Sequence, residues 1–390
     1  MIYVVEPICR GNEHAIVNAG LLASLNYAFP SSSISFSGEE THLDIVKDVL
    51  KNECVINATY HSITLPSHSD VLANKIFIEY RFLKKMLVSA INEGARFAIF
   101  SACTSTQLLC LKILLRFSSF ETLTVITVIH SELQGILMRP PRKPWCHLIW
   151  LRNVLRFHNL ERLKILVPGE ALLPVVFNEI PALKGYAYAL NLAYFFSHDS
   201  VDKVYQNSDI LKFGFIGVGT KRKGIDTFFR LAEKIKMPDL SGCMVAEFEV
   251  IGNISYKNFP EFMNSGVSYI SSDKMLLRSE MNMLIRNIDY MILPYDKEEY
   301  KLVASATLLD AFEFVKPVIA FRNPTVEYCF DKMGNIGFLC DTEEEMEQVI
   351  LRIIKDYPES EYKEQCENIL NGRKIFDPKY LAPILKSILD

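Results

Sequence analysis

Short apolar runs alternate along the chain with longer stretches in which apolar residues recur every three or four positions. The first pattern is typical of buried β-strands and the second of amphipathic helices, so an α/β fold with parallel sheets is predicted. Strands are predicted in the first half at residues 2–5, 33–36, 53–57, 95–100, 123–129 and 164–167, with helices at 15–27 and 76–92. In the second half they are predicted at 213–216, 247–251, 267–270, 290–293, 318–321 and 336–339, with helices at 225–236, 276–288, 306–314 and 343–355.

The two sets of strands predict two doubly wound, Rossmann-like domains, at residues 1–200 and 201–375. The polar segment 194–211 lacks periodicity and is the predicted linker. Residues 376–390 carry a final helix that is expected to pack back on the first domain. Because ligands bind beyond the carboxyl ends of the strands in open α/β sheets, a central cleft between two facing sheets is the expected site.

The net charge of −4 and the isoelectric point near 6.1 disfavour nucleic acid as a partner, so an anionic ligand has to be bound by local charge. The nine cysteines form no C-x-x-C pair, which indicates a reducing compartment and no zinc site. The amino-terminal residues lack the features of a signal peptide, and the most apolar later stretch, 185–196, is too short to span a bilayer. A cytoplasmic protein is therefore expected, with attachment to a membrane surface left open.

A strand, a glycine-containing turn and an amphipathic helix follow one another at residues 213–235. Gly217 and Gly219 would let the backbone approach a ligand closely, and Lys221, Arg222 and Lys223 place three cations near a helix N-terminus, where a diphosphate could bind. An ordinary turn with solvated basic side chains explains the same segment. A dinucleotide site of the G-x-G-x-x-G type would need a glycine at Arg222, which argues against nicotinamide cofactors.

A second candidate segment starts a helix with small and hydroxyl residues. Ser305, Ala306 and Thr307 precede the apolar run of the predicted helix at 306–314, where free backbone N–H groups can bind phosphate oxygens. Asp310 follows one turn later and could accept hydrogen bonds from ribose hydroxyls. A capped helix with one exposed acid is the alternative.

Taken together, these segments resemble the C-terminal domain of the retaining GT-B glycosyltransferases of the large family 4 group, which is related to the glycogen synthases. The resemblance covers about residues 213–339 and depends on five short motifs in the order of the family. They are Lys223-Gly224, then Val250-Ile251-Gly252, Asp289, Leu293-Pro294 and Lys316-Pro317-Val318-Ile319-Ala320.

The chain departs from the family pattern at several positions. The arginine that the family has before Lys-Gly is not in its usual place, and Lys221 or Arg222 could supply its charge. The paired glutamates of the family, eight positions apart, fall on Leu302 and Asp310, unless Glu298 or Glu299 replaces the first. The glycine before Lys-Pro is Val315. Because the first glutamate normally contacts the donor sugar, these departures concern the identity of the sugar and the retaining outcome. A catalytically silent module that binds a nucleotide or a partner is the alternative function.

The resemblance implies transfer of a sugar from a nucleotide-sugar to a glycan or lipid-linked acceptor, as in bacterial surface-polysaccharide synthesis, without a metal or other cofactor. Lys223 would neutralise the departing diphosphate, backbone amides at Ser305, Ala306 and Thr307 would assist, and Asp310 would hold the ribose.

In the first half, the resemblance places a glycine turn at Gly11 beside the donor and a sugar-contacting histidine at His130, after the strand at 123–129. Glu132 could act as the base for the acceptor. The alternatives are a structural histidine at His130 and a helix cap at Asn12.

Basic and aromatic residues are concentrated at 138–164. The basic residues are Arg139, Arg142, Lys143, Arg152 and Arg156, and the aromatic ones Trp145, Trp150 and Phe157. This composition suits a surface that meets anionic lipid, and a basic loop followed by a core helix is the alternative.

Overall fold

The computed structural model describes residues 1–197, 210–236, 245–254, 263–270 and 276–390. Contacts divide the chain into two compact units. The N-terminal unit comprises Met1–Phe195, Leu302–Ala304 and Ile375–Asp390, and the C-terminal unit Phe196–Lys301 and Ser305–Lys374. The predicted domain boundary at residue 200 and most of the predicted linker at 194–211 lie outside the described residues.

The N-terminal unit is built on a seven-stranded sheet in the order β3-β2-β1-β4-β5-β6-β7, in which neighbouring strands run parallel. The strands are β1 (Ile2–Val5), β2 (Ile34–Gly38), β3 (Ala58–Ser62), β4 (Phe97–Phe100), β5 (Thr124–Val128), β6 (Leu163–Val167) and β7 (Ala187–Ala189). The helices are α1 (Ala15–Ala28), α2 (Glu40–Glu53), α3 (Leu72–Asn92), α4 (Ser105–Leu114), α5 (Leu151–Arg156), α6 (Leu173–Glu179) and, at the end of the chain, α13 (Pro378–Leu389).

The central strands of this sheet are buried on both faces, which explains their continuous apolar sequences. Successive side chains point to opposite faces. Tyr3 and Val5 therefore join one core, with residues of α3, α4 and α5. Ile2 and Val4 join the other core, with residues of α1, α2 and α13.

The C-terminal unit has a six-stranded parallel sheet in the order β10-β9-β8-β11-β12-β13. Its strands are β8 (Ile210–Ile216), β9 (Val245–Ile251), β10 (Val267–Ile270), β11 (Tyr290–Leu293), β12 (Val318–Phe321) and β13 (Gly337–Cys340). Its helices are α7 (Ile225–Lys236), α8 (Arg278–Asn287), α9 (Ala306–Glu313), α10 (Pro324–Met333), α11 (Glu343–Lys355) and α12 (Glu359–Gly372). The predicted α/β class, with two Rossmann-like parallel-sheet domains, is confirmed.

One predicted strand is wrong. Residues 53–57 hold the last residue of α2 and the loop after it, and the strand lies at Ala58–Ser62. None of residues 53–57 is buried, and Val55 is 97% exposed, so the apolar residues of this run do not mark a buried strand. The short strand β7 was not predicted, because its three residues lie within the apolar stretch 185–196.

Each sheet has one point at which the strand order reverses. In the N-terminal unit this switch point lies between β1 and β4, and in the C-terminal unit between β8 and β11. In doubly wound sheets the connections on either side of a switch point leave the sheet toward opposite faces, which opens a crevice beyond the carboxyl ends of the two strands. These two places are where ligand sites are expected.

Candidate functional site

The turn after β8 leaves space for an ammonium group. Gly217 has a φ of 90°, and a Cβ atom there would lie 3.2 Å from Lys223 Nζ and 3.4 Å from Thr307 Oγ1. Lys223 ends a single 3₁₀ turn, Lys221–Lys223, which Thr220 caps by accepting a hydrogen bond from the Lys223 amide at 3.3 Å. Because Gly217 has no side chain, the Lys223 ammonium can lie at this position.

Gly224 fixes this turn against the neighbouring strand. Its φ is 71°, and a Cβ atom built on it would lie 1.8 Å from the carbonyl oxygen of Pro294, which follows β11. Backbone packs directly on backbone at this point, and a side chain at residue 224 would prevent it. The contact places Lys223 at the switch point between β8 and β11.

Lys223 donates a long hydrogen bond of 3.4 Å to Thr307 Oγ1. Burial lowers the pKa of Lys223 to about 8, while the charge of Asp310 opposes this effect and the charge of Arg222 adds to it. A bound anion would offset the loss of hydration and stabilise the charged form. The residue is therefore suited to receive a phosphate group.

The N-terminus of α9 lies beside the same ammonium. Ser305 Oγ accepts a hydrogen bond from the Leu308 amide at 3.2 Å and also contacts Tyr295 Oη at 3.0 Å. The amides of Ala306 and Thr307 make no hydrogen bond within the part of the chain that the structure describes. Unpaired amides and the positive end of the helix dipole together make an anion site.

Asp310, predicted to hold the ribose, is buried and forms an ion pair. Its Oδ1 accepts a hydrogen bond of 2.7 Å from the guanidinium of Arg278, the first residue of α8. Sequence analysis did not find Arg278. Only its position at the start of a predicted helix could have indicated its role. A cation in the first turn of a helix lies near the positive end of the helix dipole, so a nearby acidic group is expected to offset the repulsion.

The two other predicted cations lie differently from Lys223. The Arg222 guanidinium lies over the ring of Tyr300, 5.3 Å from its centroid, and Tyr300 stacks on Tyr295 with a centroid distance of 4.2 Å. Lys221 is exposed, and Gly219 makes a parallel bridge with Ile254. Of the three cations, Lys223 is the one that the structure brings to Gly217 and Thr307.

In the N-terminal unit, a buried carboxylate joins the ends of β1 and β4. Glu6 accepts hydrogen bonds of 2.9 Å from the amides of Ile8 and Cys9, one of 2.8 Å from Asn18 Nδ2 and one of 2.7 Å from Ser101 Oγ. Burial alone would raise the pKa of Glu6, but the hydrogen bonds outweigh it and lower the pKa below its usual value. Sequence analysis did not identify this residue.

The same network supports the predicted turn at Gly11. Asn18 Nδ2 lies 2.9 Å from His42 Nε2, and His42 Nδ1 lies 2.9 Å from the carbonyl oxygen of Gly11. Because a carbonyl only accepts, His42 carries its proton on Nδ1 and accepts from Asn18 at Nε2. A chain of buried polar groups thus fixes the loop after β1.

His130 follows β5, at the carboxyl edge of the sheet, as predicted. Its Nε2 lies 2.8 Å from the carbonyl oxygen of Ser101 and therefore carries the proton. The ring of His14 meets it edge-on, with a centroid distance of 4.6 Å. Burial, followed by the charge of His14, lowers the pKa of His130 to about 4, so the imidazole is neutral near pH 7.

Glu132, the predicted base, is bound to a helix terminus. Its Oε2 accepts a hydrogen bond of 2.6 Å from the amide of Ser105, the first residue of α4. Burial raises the pKa of Glu132 above its usual value. Glu132 and His130 thus contact the same segment after β4, through Ser105 and Ser101 respectively.

Leu302, at the first acidic position of the family pattern, is a core residue of the N-terminal unit. Its side chain is completely buried, and its amide donates a hydrogen bond of 2.8 Å to Gln134 Oε1. Glu298 and Glu299 are exposed, and their amides donate to Asp296 Oδ1.

Over the described ranges, no three side chains of His, Cys, Asp or Glu are grouped so that they could hold a metal ion. None of the helices in those ranges is long and apolar enough to cross a membrane.

No protein-family model matches the chain, and no curated protein matches it in sequence. Several solved structures match it over its whole length. WaaG, a glycosyltransferase involved in lipopolysaccharide biosynthesis, is 11% identical, with a TM-score of 0.64 over 100% of this chain and 99% of WaaG. HepE from Anabaena, solved with UDP, is 12% identical, with a TM-score of 0.61 over 100% and 98%.

A UDP-forming α,α-trehalose-phosphate synthase from Burkholderia xenovorans, solved with glucose-6-phosphate, is also similar. It is 11% identical, with a TM-score of 0.63 over 100% of this chain and 99% of the synthase. Identities this low show a shared fold. The chain therefore has the fold of these proteins, as the GT-B resemblance of its sequence predicts.

Proposed function

We propose that the protein is a glycosyltransferase whose C-terminal unit binds the diphosphate of a nucleotide-sugar. The observation that carries the proposal is the Lys223 ammonium, held beside Gly217 and beside the unpaired amides of Ala306 and Thr307. Charge develops on the diphosphate as the sugar leaves, and fixed positive groups at that place stabilise the transition state. The shared fold with UDP-bound HepE supports this assignment.

The remaining roles follow from the positions of the side chains. The ribose hydroxyls contact the carboxylate of the Asp310–Arg278 ion pair, which can accept their hydrogen bonds. His130 contacts a sugar through its neutral imidazole. The acceptor, a glycan or a lipid-linked glycan of surface-polysaccharide synthesis, binds to the N-terminal unit.

A thermal-shift panel tests the diphosphate site. UDP, GDP, CDP, ADP and NAD are compared on the wild type, Lys223→Met and Lys221→Met, the last being a control at an exposed lysine of the same turn. A ligand at a hundred times its Kd stabilises by about 2.7 kcal/mol. We expect one nucleoside diphosphate to stabilise the wild type and Lys221→Met but not Lys223→Met. Equal stabilisation of all three proteins, or stabilisation by NAD alone, would contradict the proposal.

Leu302 favours a second candidate, a nucleotide-binding module without transferase activity. The family places a glutamate at this position, and here a buried leucine occupies it. Release of the nucleoside diphosphate from the intact nucleotide-sugar distinguishes the two candidates. Binding without release, over a range of sugar acceptors, would favour the silent module.

We also propose that transfer needs no metal, because Lys223 and the N-terminus of α9 already supply positive charge to the diphosphate. Activity should persist in EDTA. Loss of activity that Mg²⁺ restores would contradict this part of the proposal.

We further propose that the N-terminal unit attaches to anionic membranes at the inner face of the cell membrane. Exposed apolar side chains lie among basic ones between Met138 and Phe157, and Trp145 and Phe157 are 60% and 69% exposed. The Lys143 ammonium lies 6.0 Å from the Trp145 ring centroid, and the Arg156 guanidinium lies 6.0 Å from that of Phe157. Aromatic rings next to cations suit the boundary between lipid headgroups and acyl chains.

Co-sedimentation with liposomes tests this attachment. We expect the wild type to bind phosphatidylglycerol vesicles, less at high salt, and not phosphatidylcholine vesicles. The double variant Trp145→Ser/Phe157→Ser should lose binding. Tyr380→Ser is the control, because this exposed tyrosine lies on α13, on the opposite face of the sheet. Equal binding by the double variant, or none by the wild type at low salt, would contradict the attachment.

A further inference from the structure

A small pocket lies beyond the carboxyl ends of β5 and β6 in the N-terminal unit. Its volume is about 30 Å³, enough for about two water molecules, and it is open on one side. Its lining includes Asn18, Leu21, Val128, His130, Leu166 and Leu190. All of its lining residues belong to the N-terminal unit.

The walls of the pocket are mainly aliphatic. Leu21, Val128, Leu166 and Leu190 are each buried in the same core of the sheet. Burying a methyl-sized group against such walls in place of water is favourable. A ligand group without an apolar part would leave the aliphatic walls of the pocket without an apolar contact.

The polar residues of the lining are Asn18, Ser101, His130 and Asn191, and the first and third of these offer a side-chain acceptor atom. Asn18 is only 2% exposed, and its Nδ2 group uses both hydrogens, one toward the Glu6 carboxylate and one toward His42 Nε2. Glu6 can only accept, so the orientation of the amide is fixed. Asn18 Oδ1 is therefore a buried acceptor, and it has no partner among the described residues.

His130 supplies the second acceptor. Its Nε2 donates to the Ser101 carbonyl, which leaves Nδ1 with a free electron pair. A carboxylate or phosphate has no hydrogen to donate to these acceptors, and it would also lie near the negative charge of Glu6. The pocket thus requires an uncharged group with an N–H or O–H donor and a small apolar part.

We infer that this pocket binds the acetamido group of an N-acetylated amino sugar, with the N–H donated to an acceptor of the pocket and the methyl group against the aliphatic walls. The inference rests on the proposed function, since it assumes that the ligand is a sugar. A bare hydroxyl offers a donor without an apolar part. An acetamido group offers both on one edge, because its N–H and its methyl group lie on the same side of the trans amide, and its carbonyl oxygen can remain on the open side of the pocket.

Binding of paired sugars to the full-length protein tests the inference. The first pair is methyl N-acetyl-β-glucosaminide and methyl β-glucoside, and the second is the N-acetylated and the non-acetylated nucleotide-sugar of the base that the thermal-shift panel selects. We expect the N-acetylated member to bind at least about tenfold tighter, which corresponds to about 1.4 kcal/mol. A preference within the first pair identifies the acceptor as the N-acetylated sugar, and a preference within the second pair alone identifies the donor.

Val128→Ile places one extra methyl group in the pocket and should abolish the preference. Val46→Ile is the matched control, because it adds the same group at a buried valine of α2 in the same core, outside the pocket. Thermal unfolding of both variants checks that they are folded.

Equal binding within both pairs, or a preference that survives Val128→Ile, would overturn the inference. Tighter binding of a 6-deoxy sugar than of the N-acetylated sugar would also overturn the inference. Stabilisation by the nucleoside diphosphate, measured on the same samples, distinguishes a failure of the pocket assignment from a failure of the proposed function. If it is retained while the acetamido preference is missing, the pocket assignment alone fails.

Discussion

Val315 adopts a left-handed backbone conformation that a β-branched side chain rarely takes. Its φ is 52°, and the family that the sequence resembles has glycine at this position. Such strain costs on the order of 1–3 kcal/mol, which is similar to the gain from burying a valine side chain. At this position a glycine would avoid the strain, whereas the valine offsets the strain by burying its side chain.

Val315→Gly should change the free energy of unfolding by less than about 1 kcal/mol, because relief of strain offsets the loss of burial. Val318→Gly, at a buried valine in the extended strand β12, has no strain to relieve and should cost about 3 kcal/mol or more. Urea unfolding of both variants gives the comparison. A loss at Val315 as large as at Val318 would contradict the strain argument.

His158 contributes a dependence of stability on pH. Its Nε2 lies 2.9 Å from the carbonyl oxygen of Leu163, and its Nδ1 is buried without a partner among the described residues. Burial, followed by the charge of Lys112, lowers the pKa of His158 to about 4. The unfolded chain has the ordinary value of about 6.5, so between pH 6.5 and 4 it takes up a proton that the folded protein does not.

The stability that neutral His158 contributes is thus present above about pH 6.5 and is lost as the pH falls toward 4. His158→Gln keeps an amide donor for Leu163 and removes the titration. Between pH 7 and 5, the wild type should lose up to about 2 kcal/mol more than this variant. Urea unfolding at the two pH values measures the difference. Equal losses would show that His158 has an ordinary pKa.

At the scale of elements, the turn from β8 to α7 depends on backbone contact with the end of β11. A Cβ at Gly224 would overlap the Pro294 carbonyl, whereas Gly94, with a nearly identical φ of 70°, has no atom within 4 Å of such a Cβ. Gly224→Ala should therefore lower stability by more than about 3 kcal/mol, and Gly94→Ala by about 1 kcal/mol. Thermal unfolding measures both. Similar losses would mean that the close approach at Gly224 is not needed.

The sequence predicts most strands because a strand buried on both faces is apolar at every position, as in β1 and β11. It fails at β3, an edge strand whose side chains are largely exposed, so that apolar sequence no longer marks it. Helix α2 carried a usable pattern, since its buried residues 42, 43, 46 and 50 follow helical spacing.

The candidate site is predictable where its residues are close in sequence. Lys223 follows Gly217 within one turn, and Ser305 begins the helix that bears Thr307. Glu6, His42 and Arg278 could not be found in this way, because each has side-chain partners that are distant in the chain. Arg278 and Asp310 are 32 positions apart, and only the fold places them 2.7 Å from each other.

At the scale of the whole molecule, the units are not continuous in sequence. The short segment Leu302–Ala304 and the C-terminal residues Ile375–Asp390 belong to the N-terminal unit, where α13 packs against α1. The net charge of −4 is a property of the whole chain and does not reveal the positive charge at Lys223. Composition therefore describes the whole chain and does not show where charge is concentrated.

Calorimetric titration of the nucleoside diphosphate at pH 8, in two buffers of different ionisation enthalpy, tests the diphosphate site most directly. With a pKa of about 8, Lys223 is about half protonated before binding, and a bound diphosphate raises that pKa. The diphosphate is already ionised at this pH, so it contributes no proton exchange. The account predicts uptake of about half a proton per ligand in the wild type and in Lys221→Met, and weak binding without uptake in Lys223→Met. Binding to the wild type without proton uptake, or the same uptake in Lys223→Met, would contradict the placement of the diphosphate at Lys223.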